Sequence, residues 1–219
     1  MNWSWKFVAE IAPNLIQGFR VTILVTLVSY AAALALGLIF TLARMSSVKP
    51  VGKTVQLLSE GIRRTPLLVQ LYFLFYVLPD LGILLSPLTA GIIGLATHNA
   101  AYISEVYRAG IDNVSVGQWE AAKACNLTRA QAWIHVILPQ AIPPMIAPLG
   151  NYLIAMFKES ALLSAITVLE FMGSAMAEAD YNYRYLEPIT IVALGYLAAS
   201  LTSAAGIKLL EKRFNRYAA

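Results

Sequence analysis

The polar stretch of this apolar chain runs from Gly117 to Ala141, GQWEAAKACNLTRAQAWIHVILPQA. Its residue types suit recognition rather than covalent chemistry. Ser115 with Gln118, and Thr128 with Gln131, have the spacing of a capping box, in which each side chain satisfies a backbone N–H at the start of a helix. Asn126 suits the left-handed residue that closes a helix, and Pro139 reads as a stop. The spacing predicts two short helices, about 116–125 and 129–137, joined by a sharp turn. The face expected to be on offer, with Trp119, Ala122 and Lys123, fits helix-in-groove docking on a protein. DNA is not the partner, because Lys123 and Arg129 against Glu120 are too little charge to compete for phosphate.

A second group of polar residues interrupts otherwise hydrophobic runs. Counting about 1.5 Å per residue puts His98 and Asn99 near the middle of a bilayer, with Asn151 at similar depth and Lys158 and Glu159 nearer the outer half. Such groups are costly in hydrocarbon unless they pair or face a wet cavity, so they are candidates for a transport path, interhelical hydrogen bonding being the plainer alternative. Glu105 and Arg108, three apart, read as a structural ion pair at the inner boundary. Catalytic chemistry is not indicated. The two histidines lie in separate segments, and no paired carboxylates, Ser/His/Asp set or metal-spaced cluster is present. Gly52-Lys53-Thr54 imitates the end of a phosphate loop, but position 47 is Ser47, Pro50 interrupts it and no strand precedes it. The sole cysteine, Cys125, excludes an intramolecular disulfide and a Cys-rich metal site.

The elements that must position these residues are membrane helices. Of 219 residues, 58% are hydrophobic and 13% charged, with mean hydropathy +0.65; a soluble domain carries about 25% charged residues. The class is an all-α, polytopic membrane protein. Roughly 20 apolar residues cross a bilayer, and the runs predict five spans: about 19–42, 66–78, 87–107, 141–157 with an interrupted continuation to about 171, and 188–210. Pro79, Asp80 and Gly82 are turn chemistry and predict a break after the second. No cleavable leader is expected. All but four of the 16 basic residues (Lys6, Arg20, Lys158 and Arg184) fall in 44–64, 108–140 and 208–219. The positive-inside rule then puts the N-terminus outside and the C-terminus in the cytoplasm. The polar loop, about 115–139, is accordingly cytoplasmic, and Glu170, Glu178, Asp180 and Glu187 count as outer-side acids. Small residues four apart, such as Ala33 and Gly37 or Ala90 and Gly94, suit close helix packing. The whole is a single transmembrane domain, residues 1–219, without repeats or linkers.

The loop resembles the EAA signature of permease subunits of bacterial ABC importers, E-A-A, three residues, G, nine residues, I-x-L-P. Glu120, Ala121, Ala122, Leu138 and Pro139 match; Asn126 stands for the glycine and Val136 for the isoleucine. RRTPLLVQL from Arg63, AAYISEVYRAGI from Ala100, GQWEAA from Gly117 and FKESALLSAI from Phe157 are similar to the polar-amino-acid branch, over nearly the whole chain. The resemblance implies a type I importer permease fold in the bacterial inner membrane, with Gly117, Glu120, Ala121, Ala122, Asn126, Leu138 and Pro139 in an ATPase-coupling helix. It implies two permease subunits, the same or paralogous, a dimer of ATP-binding subunits and an extracytoplasmic solute-binding protein. No cofactor belongs to this chain, since ATP would be bound by the partners, and the chain itself would not be an enzyme. The cargo would be polar amino acids or a zwitterionic relative such as ectoine, moved by alternating access. The alternative, a self-contained secondary transporter or channel, calls for inverted repeats or a dense charge relay, and neither is visible in the sequence.

Overall fold

The computed structural model describes residues 3–215; Arg216, counted above among the inner basic residues, lies outside them. Among the described residues all regular structure is helical. Ser4 caps α1 (Trp5–Arg44), its hydroxyl accepting from the Phe7 N–H at 3.3 Å. The helix therefore starts well ahead of the continuous apolar run, with Pro13 within it. After α2 (Lys49–Arg63), α3 (Leu67–Tyr72) continues through a π turn and a 3-10 turn to Gly82, whose φ of 83° is left-handed. The Pro-Asp-Gly turn chemistry thus sits at a real break. α4 (Pro87–Asp112) is capped by Ser86. The polar loop folds as α5 (Val116–Ala124) and α6 (Arg129–Ala132), and the remainder as α7 (Leu138–Glu159), α8 (Phe171–Asn182) and α9 (Leu186–Asn215). Among the described residues, three stretches are long and apolar enough to cross a membrane by length and composition: Trp5–Arg44, Arg129–Ile166 and Leu186–Arg213.

Pro139 is not a stop. A π turn, Trp133–Ile137, joins α6 to α7, the Leu138 N–H reaching back to the Trp133 carbonyl. Proline lacks an N–H, and its ring clashes with the carbonyl four residues back, here that of His135. Widening the helix by one residue at that point lets the chain pass the proline without ending. The same device precedes Pro79, where the Leu78 N–H bonds to the Phe73 carbonyl. Both are Leu-Pro pairs.

α1 and α4 lie side by side along a seam of small residues. Ala33 and Ala100 are buried there, and a Cβ on Gly37 would come within 2.8 Å of Ile103. Apolar burial gives little drive in lipid, so such seams hold helices by close contact and by hydrogen bonds between them. One such bond is Thr41 Oγ1 to the Ser104 carbonyl at 3.1 Å. Outward-facing Leu24, Leu27, Leu38 and Ile39 on α1, and Leu194, Leu197 and Leu201 on α9, are exposed, as a hydrocarbon solvent favours.

Two of the acids that the sequence reading counts on the outer side are buried within the fold. Glu170 and Glu187 are 0% and 1% exposed. Glu170 caps α8, accepting from Gly173 N–H at 2.7 Å and Met172 N–H at 2.9 Å. It also accepts from the hydroxyls of Thr22 on α1 at 3.1 Å and Tyr196 on α9 at 2.7 Å. A buried carboxylate is tolerable when its lone pairs are filled by donors in this way. Glu187 accepts from the Ser4 N–H at 3.0 Å and pairs with Arg184, tying the start of α9 to the start of α1.

Candidate functional site: the elbow and the polar cluster above it

The elbow grows from the end of α4. There Glu105 is held by Arg44 of α1 at 2.7 Å, Arg63 of α2 at 3.0 Å and Arg108 at 2.9 Å, and Arg108 also meets Asp112 at 2.7 Å. The expected pair of Glu105 and Arg108 is thus one arm of a three-helix junction. Hydrogen bonding to Glu105 holds the Arg108 guanidinium in its charged form more firmly than usual, against a smaller opposing effect of burial.

Beyond the junction, Val114 is buried and the chain turns into α5. The cap expected at Ser115 does not form; Gln118 instead accepts from the Gln140 side chain at 3.1 Å, bracing α5 against α7. The second capping box is complete. Gln131 N–H donates to Thr128 Oγ1 at 3.3 Å, and the Thr128 N–H donates to Gln131 Oε1 at 2.9 Å. Asn126 has φ 55°. The Asn126 N–H bonds to the Lys123 carbonyl and the Leu127 N–H to that of Ala122, at 3.0 and 3.1 Å, the paired bonds of a left-handed helix end.

Which residues face outward differs from the sequence expectation. Trp119 packs edge-on against Trp133 at 5.2 Å, and Ala122, with Ala132 and Ile137, is buried. These side chains hold the elbow together and do not present a face. Gly117, Glu120, Ala121, Lys123 and Asn126 are exposed, as are Leu138 and Pro139. Glu120 makes no hydrogen bond or ion pair among the described residues, and nothing lies within 4 Å of a Cβ built on Gly117. The elbow is a braced body with one unengaged carboxylate.

A β-branched side chain is disfavoured in the left-handed region by about 1–2 kcal/mol, whereas glycine fits it freely. Asn126→Val therefore speeds amide exchange across residues 122–128 roughly tenfold, and Asn126→Gly leaves it unchanged or slower. Equal exchange in the two variants would mean that this turn does not set the order of the elbow.

Of the polar residues expected in a path, the fold joins two. Asn99 Nδ2 donates to Glu159 Oε2 at 2.9 Å and to the Leu95 carbonyl at 3.0 Å. His98 Nδ1 lies 3.1 Å from Gln70 Oε1, and its ring is 5.3 Å from that of Tyr102, which is 6.0 Å from Tyr152. Asn151 and Lys158 are exposed and lie outside this cluster. Between the cluster and the elbow is a cavity of about 590 Å³ lined by Arg63, Tyr102, Asn113, Met145 and Tyr152. Sequence reading missed Gln70, Tyr102 and Tyr152. Gln70 carried a signal, as the lone amide in LLVQLYFLFYVL; the tyrosines did not stand out among 11.

The family profile of the binding-protein-dependent transport system inner membrane component matches residues 33–216. The chain is 38% identical to the probable amino-acid ABC transporter permease protein y4tG of Sinorhizobium fredii, over 96% of this chain and 91% of that protein. It is 31% identical to the glutamine transport system permease protein GlnP of Escherichia coli, over 97% and 98% of the two chains. Among solved structures, a chain from an amino acid ABC transporter with histidines superposes with TM-score 0.92 at 37% identity, covering 97% of this chain and all of that one. A chain of the MetNI methionine ABC transporter, 18% identical over 97% and 99%, gives 0.72, a likeness of fold alone.

Proposed function

This chain belongs to the family of inner membrane components of binding-protein-dependent transport systems and is an amino-acid ABC transporter permease subunit, and on that premise we propose how it works. It is the membrane-spanning half of an ATP-driven importer for polar amino acids, and α5 with its turn is where the ATP-binding subunit takes hold. One observation carries this reading: the elbow is internally braced, yet Glu120 on its outer face has no partner among the described residues. A carboxylate kept free on a rigid surface is suited to a basic group or helix N-terminus of another protein. Closure of the ATPases would move the elbow and alternate the access of a path running past Asn99, Glu159, His98 and the cavity below them.

The arrangement goes with five crossings, N-terminus outside: α1, α3 with its continuation, α4, the unit formed by α7 and α8, and α9. Two permease copies, identical or paralogous, two ATP-binding subunits and a solute-binding protein complete the assembly. Relatives named for glutamine, L-cystine and arginine transport support polar amino acids as the cargo.

Reconstitution tests the reading. Vesicles holding this chain with its ATPase take up labelled glutamine, cystine or arginine only with internal ATP and external binding protein. Uptake by the chain alone, indifferent to ATP, would establish the self-contained transporter instead.

A further inference from the structure

Residues 181–185 read Tyr-Asn-Tyr-Arg-Tyr and comprise the last residues of α8 and the turn into α9. Tyr181 and Tyr183 are 84% and 81% exposed, and neither phenol has a hydrogen-bond partner among the described residues. Tyr183 has φ 52°, the left-handed region that a bulky side chain disfavours. Its neighbours hold it there. The Arg184 N–H bonds to the Ala179 carbonyl at 3.0 Å, Asn182 Nδ2 to the Glu178 carbonyl at 2.9 Å and the Tyr185 hydroxyl to Asp180 at 2.6 Å, while Arg184 pairs with Glu187. Two exposed aromatic rings thus flank a left-handed residue, Tyr183, where glycine or asparagine would relieve the strain. Strain maintained at an exposed tip points to use rather than to packing.

The position of the turn limits what it can meet. Glu187, just after it, bonds to Ser4 at the start of α1, whereas Arg44 at the other end of that helix joins the Glu105 junction beside the elbow. The 40 residues of α1 put the two ends roughly 60 Å apart at about 1.5 Å per residue. Whatever side the elbow faces, the turn faces the opposite one. Beside the turn runs a groove of about 610 Å³ between α1, α8 and the loop before α4, lined by Asn14, Gln17, Ser86, Leu88 and Glu178. In that loop Leu84 is 83% exposed.

Tyrosines also gather at bilayer surfaces, but this turn has the wrong charge for that. Glu178 and Asp180 lie beside it, while Arg184 is already paired with the buried Glu187, and this acidic balance disfavours anionic headgroups and favours a basic protein surface. Rigid tyrosines supply contact area at small entropic cost and anchor many protein interfaces.

We infer that the Tyr181–Tyr185 turn is the docking knob for the solute-binding protein, with the Tyr181 and Tyr183 rings seated in pockets rimmed by basic residues of that partner. This rests on the importer reading and adds to it which surface of the chain receives the binding protein. The test uses the full complex in nanodiscs with its purified, solute-loaded binding protein. In the double variant Tyr181→Ala, Tyr183→Ala, the binding-protein concentration for half-maximal ATPase stimulation rises at least tenfold, while ATPase activity without binding protein is unchanged. In a second variant, Tyr181→p-benzoylphenylalanine, light crosslinks the chain to the binding protein. An unmoved stimulation curve, or crosslinking to phospholipid only, overturns the docking assignment and leaves the importer reading intact. A wild-type complex that no binding protein stimulates overturns both.

Discussion

Glu120→Lys abolishes uptake by the assembled transporter while the chain still inserts and folds. Folding is spared because Glu120 is exposed and makes no hydrogen bond or ion pair among the described residues, and surface substitutions away from such contacts shift stability by about 0.5 kcal/mol or less. Docking is not spared. Reversing one charge of a desolvated pair at an interface costs about 2–5 kcal/mol, a thirtyfold or greater loss of affinity. Co-purification of the ATP-binding subunit and ATP-dependent uptake are measured together, with thermal melting of the isolated chain as the control. Uptake at the wild-type rate would remove Glu120 from the coupling surface.

The second large effect is on stability. Glu170→Ala strips the acceptor from two backbone N–H groups and from the Thr22 and Tyr196 hydroxyls. Each buried donor left unpaired costs about 1–3 kcal/mol, so with four donors the total is on the order of 4 kcal/mol or more. The purified variant melts several degrees lower in detergent, with α8 and the adjoining parts of α1 and α9 losing exchange protection first. Glu170→Gln keeps an acceptor oxygen in the same volume and restores much of the loss. An alanine variant that melts with the wild type would show that this network does not join the three helices.

What the sequence makes legible follows the range of the interaction that decides it. The elbow is decided within a few residues: Thr128 and Gln131 meet across one turn, and Asn126 takes the left-handed conformation that its short amide tolerates. The break at Gly82 is equally local. At Ser115 the Gln118 N–H goes to the serine's carbonyl, not its hydroxyl, and the Gln118 side chain is engaged by Gln140, 22 residues away, a partner that no local rule contains. The junction at Glu105 joins residues 61 apart in the case of Arg44. The pairing of Asn99 with Glu159 spans 60. The burial of Glu170 is illegible for a related reason: the charge count sees which segment a residue belongs to, not that the segment folds back between α1 and α9. Pro139 is a different case. Proline at the first turn of a helix and proline after the end of one look alike in sequence, and only the π turn before it distinguishes them.

Because that π turn keeps α6 and α7 continuous, the elbow and Glu159 lie at the two ends of one helical rod, although Pro143, Pro144 and Pro148 each remove a backbone donor from its middle. From Arg129 to Glu159 the rod is about 45 Å long, and a tilt of about 10° around its midpoint swings each end by about 4 Å. That displacement exceeds the 2.9 Å separating Asn99 Nδ2 from Glu159 Oε2. Had the chain been slack at Pro139, motion at the membrane face would have dissipated there. With the helix continuous through Pro139, a tilt of about 10° that carries the elbow also carries Glu159 out of hydrogen-bond reach of Asn99.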